Sequence, residues 1–367
     1  MPGVRLPQLG LRAIRARGVN VPMKLSLGTS AGTLRSAALL LVDVETEEGV
    51  AGHSYLFCYL PAAAPAIVAM LGEIERTTKG DRIAPADLWA KLARRFKLIG
   101  VQGIVRMAMS GFDVACWDAL SVAAGKPLVA LLGGKPRPIP AYNSNGLGLM
   151  APEAAADEAE KLLEGGFRAV KLRLGHPSHA ADLAAVRAVR KRLPDSVELM
   201  VDYNQALSLA EALERGRAID SEGIAWIEEP IRHDDFRGCA ELARALATPI
   251  QIGENFSLPE QMNEAILAEA CDLVMPDLER IGGVSGWRRA AVLAASSKLP
   301  MSSHLFPEAS AHLLAVTPTC HFLEYVDWAD AILAEPLQIV RGEAVIPDRP
   351  GTGVTWDEKA VKRYRMA

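Results

Sequence analysis

The sequence is short of cysteine and aromatic residues, has no strong excess of either charge and carries no long apolar run. Each shortage closes off a class of protein. The five cysteines in 367 residues (Cys58, Cys116, Cys239, Cys271 and Cys320) are odd in number, scattered and never paired as C-x-x-C. They form no disulfide framework and read as buried free thiols in a reducing, cytoplasmic setting. A formal charge of −4 supplies no electrostatic attraction to nucleic acid or to an anionic membrane. No apolar stretch approaches the roughly 20 residues of a membrane span. The start, "MPGVRLPQLGLRAIRARGVNVPM", has basic residues but neither a sustained apolar core nor a small-residue cleavage site. It therefore reads as no secretion signal, with residues 1 to about 10 as a loose leader.

What is present is a rhythm. From about residue 138, short apolar runs end in a polar or charged residue and are followed by an Ala/Leu/Glu/Arg-rich stretch of helical period. The runs are "PIPAYNSN", "RAVKLRLG", "VELMVDYNQ", "IAWIEEP", "PIQIGEN", "CDLVMPDL", "LPMSSHLF" and "HFLEYVDW". Between them lie stretches such as "DLAAVRAVRKRL", "LAEALERGRAI", "CAELARALA" and "GWRRAAVLAASSK". Eight strands alternating with seven helical connectors predict a parallel barrel rather than an open sheet. Pro/Gly-bearing chain follows the eighth strand instead of a helix, so the expected α/β architecture is (β/α)7β. The first 132 residues have another texture. "SAALLLVDVETEEGVAGHSYLF" reads as a hairpin turning at "EEG", and "GIVRMAMSGFDVACWDALSVAAG" as a helix closed by Gly125. The expected organisation is an α+β domain over residues 1–132, the barrel over 133–327, and a segment 328–367 returning to pack on the first domain.

Chemistry in such barrels sits where strands end. Three successive strands end in Asp202, Glu228 and Glu254, each 26 residues from the next. Any one alone is as readily a helix cap or a solvated loop acid. Three at matched positions converge, and three carboxylates in a low-dielectric mouth need a counterion. A hard divalent cation with oxygen ligands, Mg2+ foremost, is the natural partner. Glu229 cannot point the same way as its neighbour, and Glu228 aligns with the other two ligands. The next strands end in Asp277 and His304, and the eighth carries Glu324. A carboxylate on one imidazole nitrogen fixes the tautomer and leaves the other nitrogen as a proton acceptor.

A further motif is the stretch "AVKLRLG", which sets Lys171 and Arg173 two apart on one strand face. Two cations aimed into an interior are costly unless the interior holds anions.

Together, Lys171-x-Arg173, Asp202, Glu228, Glu254, the Asp277/His304 pair and Glu324 resemble the mandelate racemase branch of the enolase superfamily. The resemblance extends through "VNVPM", "GHSYLF", "GFRAVK", "IGGVSGW", "SAHLLA" and "AVIPD". It implies an N-terminal capping domain completed by the C-terminal segment, one Mg2+ ion per site, a homo-oligomer that is often an octamer, and a small carboxylate substrate. The implied reaction removes the α-proton of a 2-hydroxy carboxylate and stabilises the resulting enediolate. Lys171 and Ser144 would then lie at the substrate carboxylate, and Glu324 would donate a hydrogen bond to it. Positions matching the family's apolar substrate-side surface are Leu27, Ala31, Leu34, Phe57, Tyr59, Leu305 and Val326. These favour an apolar or aromatic substituent over a polyhydroxylated chain.

Arg173 departs from the pattern, because the family's racemases place a second, proton-abstracting lysine there. An arginine of pKa above about 12.5 is neutral in fewer than roughly one molecule in 10⁵ at pH 7, a cost of about 7 kcal/mol or more. It is a poor base and a good oxyanion anchor. Three readings follow: a racemase or epimerase with Arg173 or a water as second base; an acid-sugar dehydratase in which His304 does all the proton work; and a metal-binding relative without catalysis. Arg280, in "LERIGGV", is expected to add positive charge near the end of the Asp277 strand without a catalytic role.

Overall fold

The structure, a computed structural model, describes residues 6–366. Strands β1 (Leu11–Thr29), β2 (Gly32–Thr46) and β3 (Ala51–Phe57) form an antiparallel sheet in the order β1-β2-β3. The β2–β3 turn falls on the expected "EEG", with Glu45 opposite Ala51. β1 is longer than anything legible in the basic N-terminal stretch. It is an edge strand whose outer cations pair across the ladder, Arg12 and Arg15 with Glu45 and Arg17 with Asp43, so its pattern lacks a continuous apolar face. The expected loose leader is corrected for residues 6–10. Leu9 is buried, and Gly10 bridges to Arg82. Residues 1–5 of that leader lie outside the described residues.

The helix Gly103–Ala123 crosses this sheet with seventeen successive residues buried, Val105 to Ser121. It ends as read from the sequence, with Gly125 at φ 62° donating its N–H to the Val122 carbonyl. Gly52 on β3 is the point of closest approach, since a Cβ there would come within 2.1 Å of the Ala115 carbonyl oxygen. Only glycine lets this strand and helix meet.

The barrel strands are β4 (Ile139–Asn143), β5 (Ala169–Arg173), β6 (Glu198–Asp202), β7 (Ile224–Glu228), β8 (Ile250–Ile252), β9 (Leu273–Val274) and β10 (Leu323–Tyr325). They pair parallel in sequence order, and β10 closes on β4. The stave carrying His304 forms no ladder of its own. It joins the ring through single bridges, Val274 with Met301, Asp277 with His304 and Met301 with Cys320. Seven helices connect the staves, Pro152–Lys161, His179–Arg192, Leu209–Ile219, Phe236–Ala245, Leu258–Leu267, Gly283–Ser296 and Pro307–Ala315. Every residue of β5 is buried, as expected of a strand covered by helices outside and side chains inside.

The C-terminal segment divides its contacts. β11 (Gln338–Val340) and β12 (Glu343–Val345) form a hairpin that pairs antiparallel with β4 of the barrel. Further on, Trp356 donates to Asp43, Arg17 pairs with Glu358, and Tyr364 accepts from the Asn20 N–H on the three-stranded sheet. The segment therefore meets both domains: Trp328 packs on Phe57 before the hairpin joins β4, and Thr352 then bonds Asp118 of the long helix.

Candidate active site

Alternation along the staves determines what enters the barrel. Tyr142, Ala169, Met200, Trp226 and Leu273 form a second apolar cluster with Phe322 against it. Tyr142 and Trp226 meet edge to face at 5.6 Å. Two residues further along each strand, on the same side, come Ser144, Lys171, Asp202, Glu228 and Glu324. The charged layer thus stands on an aromatic floor, with the Lys171 ammonium 5.5 Å from the Tyr142 ring centre.

Asp202, Glu228 and Glu254 each offer a carboxylate oxygen, and these three oxygens lie within 4.8 Å of one another. Register explains part of this, since Asp202 pairs directly with Glu228. Asparagines just beyond two of the acids orient them: Asn204 donates to both oxygens of Asp202, and Asn255 donates to Glu254. Trp226 Nε1 donates to Glu228. These orienting partners were not singled out from the sequence, although "DYN" and "GEN" each place an asparagine within two residues of the acid. An oxygen-only, acid-rich donor set held by further hydrogen bonds fits a hard divalent cation. Glu229 turns away at φ 35° and accepts from Asn255, so Glu228 is the one of the two whose carboxylate stands with Asp202 and Glu254.

Lys171 is 1% exposed and lies 2.5 Å from Glu228, 2.8 Å from Glu324 and 3.6 Å from Asp202. Burial opposes its charge, but Glu228, Glu324 and Asp202 outweigh burial and raise its pKa, so it stays an ammonium. Burial pushes Glu228 up to about 8 against the pull of Lys171, with Asp202 and Glu324 adding to the rise.

Asp277 accepts from His304 Nδ1 at 2.6 Å through one oxygen, and from the N–H groups of Glu279 and Arg280 through the other. His304 Nε2 consequently faces the mouth, 3.2 Å from Glu254 and 3.9 Å from Glu324. Burial lowers the imidazole pKa, but the carboxylates of Glu254 and Glu324 and the Asp277 contact raise it to about 10.

Glu324 and Arg173, both expected to meet substrate, also have partners within the protein. Both oxygens of Glu324 accept, one from Ser144 Oγ at 2.7 Å and Lys171, the other from the Leu305 N–H at 2.9 Å. Lys171 and His304 lower its pKa against the effect of burial, which favours the acceptor form. The Arg173 Nη1 donates to the Ser144 carbonyl at 3.0 Å and its Nη2 to Ser144 Oγ at 2.9 Å.

The expected pocket residues are brought together unevenly. Leu305 and Ser144 touch the charged layer directly. Leu27 pairs with Leu34 in the β1–β2 hairpin, whose tip docks on the barrel: Ser30 Oγ donates to the Asn204 carbonyl, and the Leu149 N–H to that of Gly28. Ala31 is exposed on that tip. Phe57 is buried between Tyr59 and Trp328, and its N–H donates to Glu279 at 3.0 Å. Tyr59 lies 4.7 Å beneath the Arg280 guanidinium, which also donates to the Glu254 carbonyl. Val326 is buried two residues past Glu324. Glu279, missed in the sequence, links the capping sheet to the loop of the dyad, and no periodic signal marks it. Among the described residues, six of the eleven non-glycine residues of positive φ (Leu147, Asn204, Gln205, Glu229, Leu305 and Phe306) lie in loops leaving these staves. Strained backbone concentrates where the strands deliver their side chains.

A capped (β/α)7β barrel with three convergent carboxylates, a buried lysine and an Asp–His pair at its mouth is the architecture of a Mg2+-dependent enzyme of the enolase type. The chain belongs to the mandelate racemase branch of the enolase superfamily. The family description "Mandelate racemase / muconate lactonizing enzyme, N-terminal domain" matches residues 12–133, and "Enolase C-terminal domain-like" matches 154–360. A solved enolase from an alpha-proteobacterium, BAL199, with bound magnesium is 44% identical at a TM-score of 0.96, covering 98% of this chain and 100% of that one. A Bradyrhizobium enolase solved with magnesium and mandelic acid is 43% identical at 0.93, covering 99% and 100%. The L-talarate/galactarate dehydratase of Salmonella typhimurium is 32% identical over 89% of this chain and 82% of its own length.

Proposed function

We propose that the protein is a Mg2+-dependent enzyme that removes the α-proton of a 2-hydroxy carboxylate bearing an apolar or aromatic substituent, with His304 as the base. The observation that carries this is the Asp277–His304 pair, whose Nε2 faces the mouth of the three carboxylates, 3.2 Å from Glu254. Asp202, Glu228 and Glu254 would hold the ion, which when bound supplies positive charge beside the substrate carboxylate and so acidifies the adjacent C–H. Asp277 holds the Nδ1 proton; an ion on Glu254 would take up the carboxylate charge that most raises the imidazole pKa, and Nε2 of the neutral ring then accepts the substrate proton. Lys171, held as an ammonium, offsets the negative charge that develops on the carboxylate oxygens. The buried Phe57, Leu305 and Val326 favour an apolar substituent.

Racemisation needs a second acid–base group on the opposite face, and the Arg173 fork is committed to Ser144. We therefore expect one-faced chemistry. That also supports a second reading, β-elimination of water from an acid sugar, because one base and a leaving group suffice for it. The test is proton NMR of each mandelate enantiomer with enzyme and Mg2+ in D2O, with chiral analysis of the same samples. Loss of the α-proton signal from one enantiomer with configuration kept, abolished by EDTA, supports the first reading. Equal exchange with racemisation would overturn the one-faced assignment. No exchange, with dehydration of an acid sugar to a 2-keto-3-deoxy acid, would establish the second reading.

A further inference from the structure

Arg173 is 4% exposed, sits beside the catalytic layer and has no part in the chemistry above. Its contacts are specific. Nη1 donates to the carbonyls of Ser144 at 3.0 Å, Lys171 at 3.3 Å and Gly146 at 3.4 Å, and Nη2 donates to Ser144 Oγ at 2.9 Å. Nε has no hydrogen-bond partner and lies 3.9 Å from Asp202 Oδ2. The fork therefore grips the loop leaving β4, and its one contact with a side-chain hydroxyl is Ser144.

That contact has a directional consequence. A guanidinium only donates, so Ser144 Oγ must accept from it and spend its single hydrogen elsewhere. The acceptor in reach is Glu324 Oε1 at 2.7 Å, the same oxygen that faces Lys171 at 2.8 Å. The other oxygen of Glu324 is tied to the Leu305 N–H, next to His304. The hydrogen bonds run one way, from Arg173 to Ser144 to Glu324. We propose that Arg173 is a positioning residue: it fixes the Ser144 hydroxyl as a donor and so holds Glu324 between Lys171 and His304, without itself touching substrate. This rests on the reading of the mouth as the reaction site. A lysine would not substitute, because one ammonium cannot span three carbonyls and a hydroxyl in the plane of a fork.

The test is a double-mutant cycle of Arg173→Met, Ser144→Ala and the pair, with Arg173→Lys as the charge-keeping variant. The rate readout is Mg2+-dependent α-proton exchange of mandelate, resolved into kcat and KM. If Arg173 acts only through Ser144, each single variant lowers kcat at least tenfold with KM within about threefold, the pair is no worse than the worse single, and Arg173→Lys resembles Arg173→Met. Losses that multiply would overturn the proposal. So would a tenfold rise in KM with kcat kept, or wild-type kcat in Arg173→Lys. If the wild type does not exchange mandelate, the substrate reading fails by itself, and the same cycle is read on thermal unfolding without substrate. Non-additive shifts in melting temperature then support the Arg173–Ser144 coupling, and additive shifts overturn it.

Discussion

The two flanks of the barrel mouth put similar materials to opposite uses. On the β5 flank, Lys171 and Arg173 are buried cations whose donors are spent on the protein, Lys171 on Glu228 and Glu324 and Arg173 on Ser144 and backbone carbonyls. On the flank carrying His304, Asp277 holds Nδ1, and Nε2 points into the mouth, 3.2 Å from Glu254. The Arg173 fork, held by the loop leaving β4, orders its surroundings, whereas an imidazole whose outer nitrogen meets only carboxylates at the mouth can still exchange a proton there. Residue type alone would not separate the two.

The sharpest way to break this comparison is His304→Asn. It removes the one aimed acceptor and should lower α-proton exchange by about 10²- to 10⁴-fold, with the melting temperature little changed. Comparable exchange in that variant would mean that the β5 flank supplies the base. A smaller effect, about tenfold to a hundredfold in kcat, is expected of Asp277→Asn. An amide that donates to Nδ1 would move the proton to Nε2, so the loss should appear in kcat and pH profile rather than in Mg2+ affinity. An unchanged profile would show that the tautomer is set elsewhere.

The smallest effect separates folding from chemistry. His312 lies away from both flanks, with Nδ1 accepting from the Val129 N–H and Nε2 donating to the Thr352 carbonyl. Burial lowers its pKa to about 4, so its contribution to stability is present above the unfolded value near 6.5 and is lost as the pH falls through 4. Denaturant midpoints followed from pH 7 to 4 should decline less steeply in His312→Gln, by up to roughly 3 kcal/mol at the acid end. Equal slopes would mean that His312 is not the group titrating.

Much of this site was legible because a barrel strand is a ruler. A spacing of 26 residues and a side-chain period of two sufficed to choose Asp202, Glu228 and Glu254, and the same period put Lys171 and Arg173 on one face. The seven connecting helices were legible from their periodicity for the same local reason. The long β1 was not, since its outer face is charged and only the opposite ladder, through Glu45 and Asp43, explains its arginines. Nor was Glu279, which matters through its contact with Phe57, 222 residues away in sequence.

The sequence by itself determined the barrel, the carboxylate set and the Asp277–His304 pair, because each depends on spacing along neighbouring strands. Only the tertiary structure decided which way hydrogens point within the protein: toward both oxygens of Glu324, and from Arg173 to Ser144. The direction of a hydrogen bond belongs to two partners at once. Here those partners lie on different staves, 29 residues apart for Arg173 and Ser144 and 180 for Ser144 and Glu324, so no local pattern in the chain records it.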